Sequence, residues 1–86
     1  MFTENDFLQI DKSFEVITKT SSHIILKSQC GHIWDIYCRD MERGTSLVLY
    51  HKHKEGYPFH EQPFIHPRTV QKAMEYIRNH DKHVKT

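Results

Sequence analysis

The 86-residue chain is poor in the residues that mark several protein classes. Its two cysteines, Cys30 and Cys38, are too few for a disulfide scaffold, so we expect reduced thiols. Three glycines and three prolines exclude a low-complexity chain. The apolar runs, such as Ile24–Leu26, fall far short of the ~20 residues that a membrane span needs. Twelve basic and eleven acidic residues leave a net charge of +1, which excludes a strongly basic nucleic-acid scavenger and an acidic tail.

The remaining bulk features are typical of one small folded domain. Five Phe, four Tyr and one Trp supply the apolar area for a core. The length leaves no room for two cores, so we expect a single domain over residues 1–86. The segment Met1–Asp6 is acidic and lacks the basic and then apolar pattern of a signal peptide. We therefore expect a cytoplasmic protein that makes no membrane contact.

Four strand-like runs, rich in β-branched and aromatic residues, follow one another with short gaps. They are Phe14–Thr20, His23–Ser28, His32–Arg39 and Thr45–His53. Gaps this short favour hairpins, so the sequence predicts a four-stranded antiparallel meander. Gly31 lies in the second turn, where glycine can adopt a positive φ. We expect Asp40–Gly44 to be a polar loop, and residues 54–66 to form a longer one.

Helical patterns flank these strands. A C-terminal helix with Pro67 in its first turn is predicted from apolar residues at i, i+3, i+4 and i+7, namely Val70, Ala73, Met74 and Ile77. Asp81 falls on the same stripe, so we expect firm packing to end near Ile77. Thr3 and Asp6 form a weak capping box, which indicates a short N-terminal helix. The predicted fold is α+β, with the C-terminal helix packed on one face of the sheet.

One helix can cover only one face of this sheet. Strand alternation places Trp34, Ile36, Leu47 and Leu49 on the side that we expect the helix to cover. The opposite side is too apolar for ordinary surface and too polar for a second core. We predict that a partner binds there and to the adjacent loop, through Ile33, Tyr37, Val48, Tyr50, Lys52 and Tyr57. The alternative is that the 54–66 loop and the N-terminal segment cover this side.

The sequence therefore favours a non-enzymatic interaction module that uses this side and the His- and Tyr-rich segment 50–62. Its partner would be another protein or a second copy of the chain. A second hypothesis is a nucleic-acid-binding protein, in which Lys52, Lys54 and the nearby tyrosines contact phosphates and stack on bases. The chain shows no nucleophile elbow and no glycine-rich phosphate loop, so we expect no enzyme activity and no organic cofactor.

Histidine is in clear excess, with eight residues. His51 and His53 share one face of the fourth predicted strand, because side chains two residues apart on a strand point the same way. With His60 from the following loop, they are our candidate ligands for a divalent metal ion. Cys30 and His32 meet at the second turn, but the sequence lacks the closely spaced cysteine pairs of many zinc sites. Ordinary surface or structural histidines are therefore the alternative.

Overall fold

The computed structural model describes residues 1–41, 44–62 and 65–84. These residues form one five-stranded antiparallel sheet, in which each strand pairs with the next strand along the chain. The strands are β1 (Glu15–Lys19), β2 (His23–Lys27), β3 (Ile33–Met41), β4 (Gly44–Lys52) and β5 (His60–Glu61), and the helices are α1 (Glu4–Phe7) and α2 (Val70–Val84). This confirms the predicted α+β meander with a C-terminal and a short N-terminal helix. The fifth strand is an addition to the predicted four.

The β3–β4 hairpin is longer than predicted. Its register pairs Met41 with Gly44, so strand pairing enters the segment that was expected to be a polar loop. The loop prediction was wrong for Asp40, Met41 and Gly44, because these residues pair within the hairpin. Glu42 and Arg43, the rest of the predicted loop, lie outside the described residues.

The short strand β5 forms where a loop was predicted. It pairs with the end of β4, with Tyr50 opposite Glu61 and His51 opposite His60. The backbone N–H of Gln62 extends the pairing by donating to the carbonyl of Leu49 at 2.8 Å. Two residues are too few for a periodic pattern, so the strand depends on the edge that β4 offers.

The helix α1 carries the capping box that the sequence predicts. The backbone N–H of Thr3 donates to Oδ2 of Asp6 at 2.8 Å, and the backbone N–H of Asp6 donates to Oγ1 of Thr3 at 3.4 Å. These two bonds satisfy donors that a helix start otherwise leaves open. Phe7, at the end of α1, packs against the core.

The helix α2 begins at Val70, three residues after the predicted start at Pro67. The cap is Thr69, whose hydroxyl accepts a hydrogen bond from the backbone N–H of Lys72 at 3.1 Å. Pro67 precedes the helix, and its carbonyl accepts the N–H of Leu47 at 3.0 Å. The helix entry is therefore fixed to β4.

Packing of α2 also continues past Ile77, contrary to expectation. Asp81 is only 4% exposed, although it is a carboxylate. It stays buried because three neutral groups donate hydrogen bonds to it, as described below. The prediction that packing ends near Ile77 was wrong for this reason.

The main core lies between α2 and the side of the sheet that we call the helix face. Trp34, Ile36, Leu47 and Leu49 are buried there against the four predicted apolar residues of α2, namely Val70, Ala73, Met74 and Ile77. Each large side chain buried in this way contributes roughly 1.5 to 3 kcal/mol of transfer free energy. We call the opposite side the far face. Neither described helix is long and apolar enough to cross a bilayer.

Candidate metal centre

Three histidines from different parts of the chain meet at one end of the core. His32 immediately precedes β3, His51 lies in β4, and His80 lies in α2. One ring nitrogen of each lies within 4.8 Å of the other two. His32 and His51 are buried and His80 is half-buried. We call these residues the histidine cluster.

Strand alternation and register bring the first two members together. His51 lies opposite Trp34 in the β3–β4 pairing, so both side chains project from the helix face. His32 is two residues before Trp34 and projects from the same face. The pairing of Ile33 with Lys52 places His32 at the level of the residue that follows Lys52, which is His53.

The helix α2 supplies the third member. His80 lies three residues after Ile77, so it continues the side of the helix that faces the sheet. Its ring centroid is 4.7 Å from that of His51 and 5.4 Å from that of His32. The rings of His80 and Trp34 form a T-shaped contact, with their centroids 5.1 Å apart and their planes at 84°. The cluster thus joins two strands to the helix.

Hydrogen bonding within the cluster is incomplete. Nδ1 of His32 and Nε2 of His51 lie 2.8 Å apart, so one donates to the other. Nδ1 of His80 is buried and has no hydrogen-bond partner among the described residues. Buried polar nitrogens almost always have a hydrogen-bond partner, so Nδ1 of His80 is available to a ligand such as a metal ion.

Burial lowers the pKa of all three imidazoles, because it removes the solvation of the charged form. The pKa of His51 falls to about 4, with repulsion from His80 and His32 adding to burial. Asp81 opposes the effect on the pKa of His32 and His80. The rings are therefore neutral at pH 7, which is the form that coordinates a metal ion.

A buried carboxylate adjoins the cluster. Asp81 accepts hydrogen bonds from Oγ of Ser28 at 2.8 Å, the N–H of Gln29 at 3.1 Å and Sγ of Cys30 at 2.9 Å. These bonds attach the turn between β2 and β3 to α2. Because His32 follows that turn directly, Asp81 helps to set its position. Cys30 is a free thiol.

The structure places the predicted metal ligands in different surroundings. His51 belongs to the histidine cluster. The side chain of His53 is exposed, and its ring centroid lies 4.7 Å from that of His32 and 5.4 Å from that of His51. His60 pairs with His51 across β4 and β5, and its side chain is exposed. The ligand roles of His53 and His60 stay predictions.

Sequence reasoning did not select His32 and His80. The sequence contains a signal for each. His32 is two residues before Trp34, a spacing that places both on one face of a strand, and His80 is three residues after Ile77, a spacing that places both on one side of a helix. Neither signal says that the two side chains meet, because that depends on how α2 crosses the sheet.

The predicted partner-binding residues lie mainly on the far face. Ile33 and Val48 are buried there, with 1% and 2% exposed. Tyr37, Tyr50 and Lys52 are half-buried, and Tyr57 is exposed in the loop after β4. Their role in binding a partner stays a prediction.

No protein-family model, no curated protein and no solved structure matches this chain. The class that the fold and the cluster define is a small α+β domain with a candidate trihistidine metal centre.

Proposed function

We propose that this protein binds a divalent transition-metal ion of the zinc type through His32, His51 and His80. The observation that carries the proposal is the meeting of three ring nitrogens within 4.8 Å of one another. Tetrahedral zinc with Zn–N bonds of 2.0–2.1 Å holds its ligand nitrogens about 3.3 Å apart. Zinc binding would therefore increase the 2.8 Å distance between the His32 and His51 nitrogens. It would shorten any nitrogen–nitrogen distance in the cluster that exceeds about 3.3 Å.

The chemistry of the donors favours particular ions. Neutral imidazole suits zinc, copper and nickel, whereas calcium and magnesium require oxygen ligands. Three protein ligands leave a fourth position on a tetrahedral ion, and His53, whose ring centroid is 4.7 Å from that of His32, is a candidate for it. The negative charge of Asp81, beside the cluster, is complementary to a divalent cation.

Binding at this place would stabilise the fold. The ligands come from β4, from the residue before β3 and from α2, so the complete site exists only in the folded chain. A ligand present at a hundred times its dissociation constant stabilises the folded state by about 2.7 kcal/mol. For a domain of this size, that corresponds to a rise of about 10 to 20 °C in Tm.

The test uses the full chain without an affinity tag. The protein is stripped with a chelator, and Zn²⁺ is added while thermal unfolding and bound metal are measured. We expect one zinc ion per chain and a higher Tm. His80→Ala, at the half-buried member of the cluster, should abolish both effects. His66→Ala, at an exposed histidine outside the cluster, is the matched control and should respond as the wild type does.

Two results would overturn the proposal. One is a wild-type Tm that zinc, copper and nickel all leave unchanged. The other is a response of the same size in His80→Ala and in the wild type, which would place the bound ion elsewhere. Mg²⁺ serves as a negative control, since it should raise the Tm of neither protein.

A further inference from the structure

The far face carries a second candidate site, which shares no residue with the histidine cluster. It is an open cavity of about 430 Å³, lined by His23, Asp35, Tyr37, Tyr50 and Phe59. This volume lies in the lower part of the range of small-molecule sites. Its size is therefore sufficient for a small ligand.

Strand register builds the walls of the cavity. Tyr37 lies opposite His23 across β2 and β3, and Asp35 lies opposite Tyr50 across β3 and β4. Residues 35 and 37 are two apart, so both project from the far face. Phe59 comes from the loop that precedes β5. Four neighbouring side chains of the sheet and one of the loop thus line a cavity that is open to solvent.

The lining combines aromatic rings with one carboxylate. The faces of Tyr37, Tyr50 and Phe59 carry negative electrostatic potential and attract cations. Asp35 is the one carboxylate among the lining residues, and its side chain is 14% exposed. Nδ1 of His23 contacts both of its oxygens, at 2.9 and 3.2 Å, and so orients the carboxylate within the cavity.

The protein itself shows that one of these rings attracts a cation. The ammonium group of Lys52 lies 4.5 Å from the centroid of the Phe59 ring. That distance is typical of a cation–π contact. A ligand with an ammonium group can use the same attraction at the other two rings, and the carboxylate can neutralise its charge.

We propose that this cavity binds a small organic cation with an alkylated ammonium group. The alkyl groups of the ligand contact Tyr37 and Tyr50 beside the Lys52–Phe59 pair, and its positive charge faces Asp35. A neutral molecule of the same shape would keep the apolar contacts and lose the attraction of the charge.

The first test compares choline with its neutral carbon isostere, 3,3-dimethyl-1-butanol. Each is titrated into the full chain, labelled with ¹⁵N, at constant ionic strength and with a chelator present. We expect choline to shift the amide resonances of the lining residues and to bind about tenfold more tightly than the isostere. Because the chelator removes metal from the histidine cluster, failure here and failure of the metal proposal are separate results.

The second test uses variants. Asp35→Asn should weaken choline binding about fivefold or more, because it removes the charge and keeps the shape. Glu61→Gln is the matched control, since Glu61 lies opposite Tyr50 in the sheet but does not line the cavity. Tyr50→Leu tests the rings without changing the charge, and it keeps the proposal testable if Asp35→Asn does not fold.

Three outcomes of these two tests would overturn the proposal. They are equal affinity for choline and its isostere, choline binding that is unchanged in both Asp35→Asn and Tyr50→Leu, and no shift of the lining resonances in the wild type. A trimethyllysine peptide that binds more tightly than choline would assign the cavity to a partner chain and overturn the assignment to a small molecule.

Discussion

Acidification should destabilise the metal-free protein in a pH window that His51 sets. The pKa of His51 is about 4 in the folded protein, compared with the ordinary value of 6.5. Between these two values the unfolded chain binds a proton that the folded chain does not, so the free energy of unfolding falls as the pH decreases. The contribution of His51 is fully present above pH 6.5 and is lost by about pH 4.

The size of the effect follows from the same two values. A pKa lowered by about 2.5 corresponds to about 3 kcal/mol of folding free energy. Burial lowers the pKa of His32 and His80 as well, so their effects have the same sign. Hydrogen bonds from Ser13 lower the pKa of Asp11. Because the ordinary pKa of this carboxyl group is already 3.8, its titration affects stability at a lower pH than the titration of His51 does.

Urea denaturation at a series of pH values from 7 to 4, with a chelator present, measures the effect. His51→Gln removes the titrating ring and should make the dependence shallower by about 3 kcal/mol over that range. His66→Ala, at an exposed histidine, should keep the wild-type slope. A wild-type free energy of unfolding that does not change between pH 6.5 and 4 would refute the reasoning, as would an equally steep dependence in His51→Gln.

Three further predictions concern packing and metal binding. Asp81→Ala should lower the free energy of unfolding by about 2 to 4 kcal/mol, because three donors lose their buried acceptor; a loss below about 0.5 kcal/mol in urea denaturation would contradict this. Ile77→Ala should lower the free energy of unfolding by about 2 to 5 kcal/mol, whereas Leu8→Ala, at an 81% exposed side chain, should lower it by less than about 0.5 kcal/mol. Similar losses in the two variants would show that α2 does not pack as described. Cu²⁺ should quench the fluorescence of Trp34, which touches the histidine cluster, and the quenching should disappear in His80→Ala; equal quenching in that variant would place the copper elsewhere.

Much of the fold could be predicted because its signals are local. Side-chain alternation in β3 and β4 places Trp34 and Leu49 on one face of the sheet and the residues before them, Ile33 and Val48, on the other. The structure confirms that the first pair packs against α2. The short strand β5 and the extension of the β3–β4 hairpin were missed. Both form through pairing with β4, and neither has a pattern of its own.

The candidate metal site was predicted only at His51. The sequence search grouped histidines that are close along the chain, whereas the structure groups residues that approach across elements. Asp81 illustrates the same limit. Its position on the apolar stripe predicts an end of packing. The structure differs, because the hydrogen-bond donors that stabilise the buried carboxylate belong to a turn more than fifty residues earlier, which a local pattern does not include.

The sequence by itself determined β1 to β4, the two helices and the buried sides of β3, β4 and α2, since side-chain periodicity along a strand or helix depends only on backbone geometry. It also determined that histidine and aromatic residues are concentrated near the end of β4. Only the tertiary structure decided which of these side chains share a site. The crossing of α2 over the sheet brings His80 to His32 and His51, and the loop before β5 brings Phe59 to Tyr37 and Tyr50. Such meetings depend on the relative placement of whole elements, and no local pattern encodes that placement.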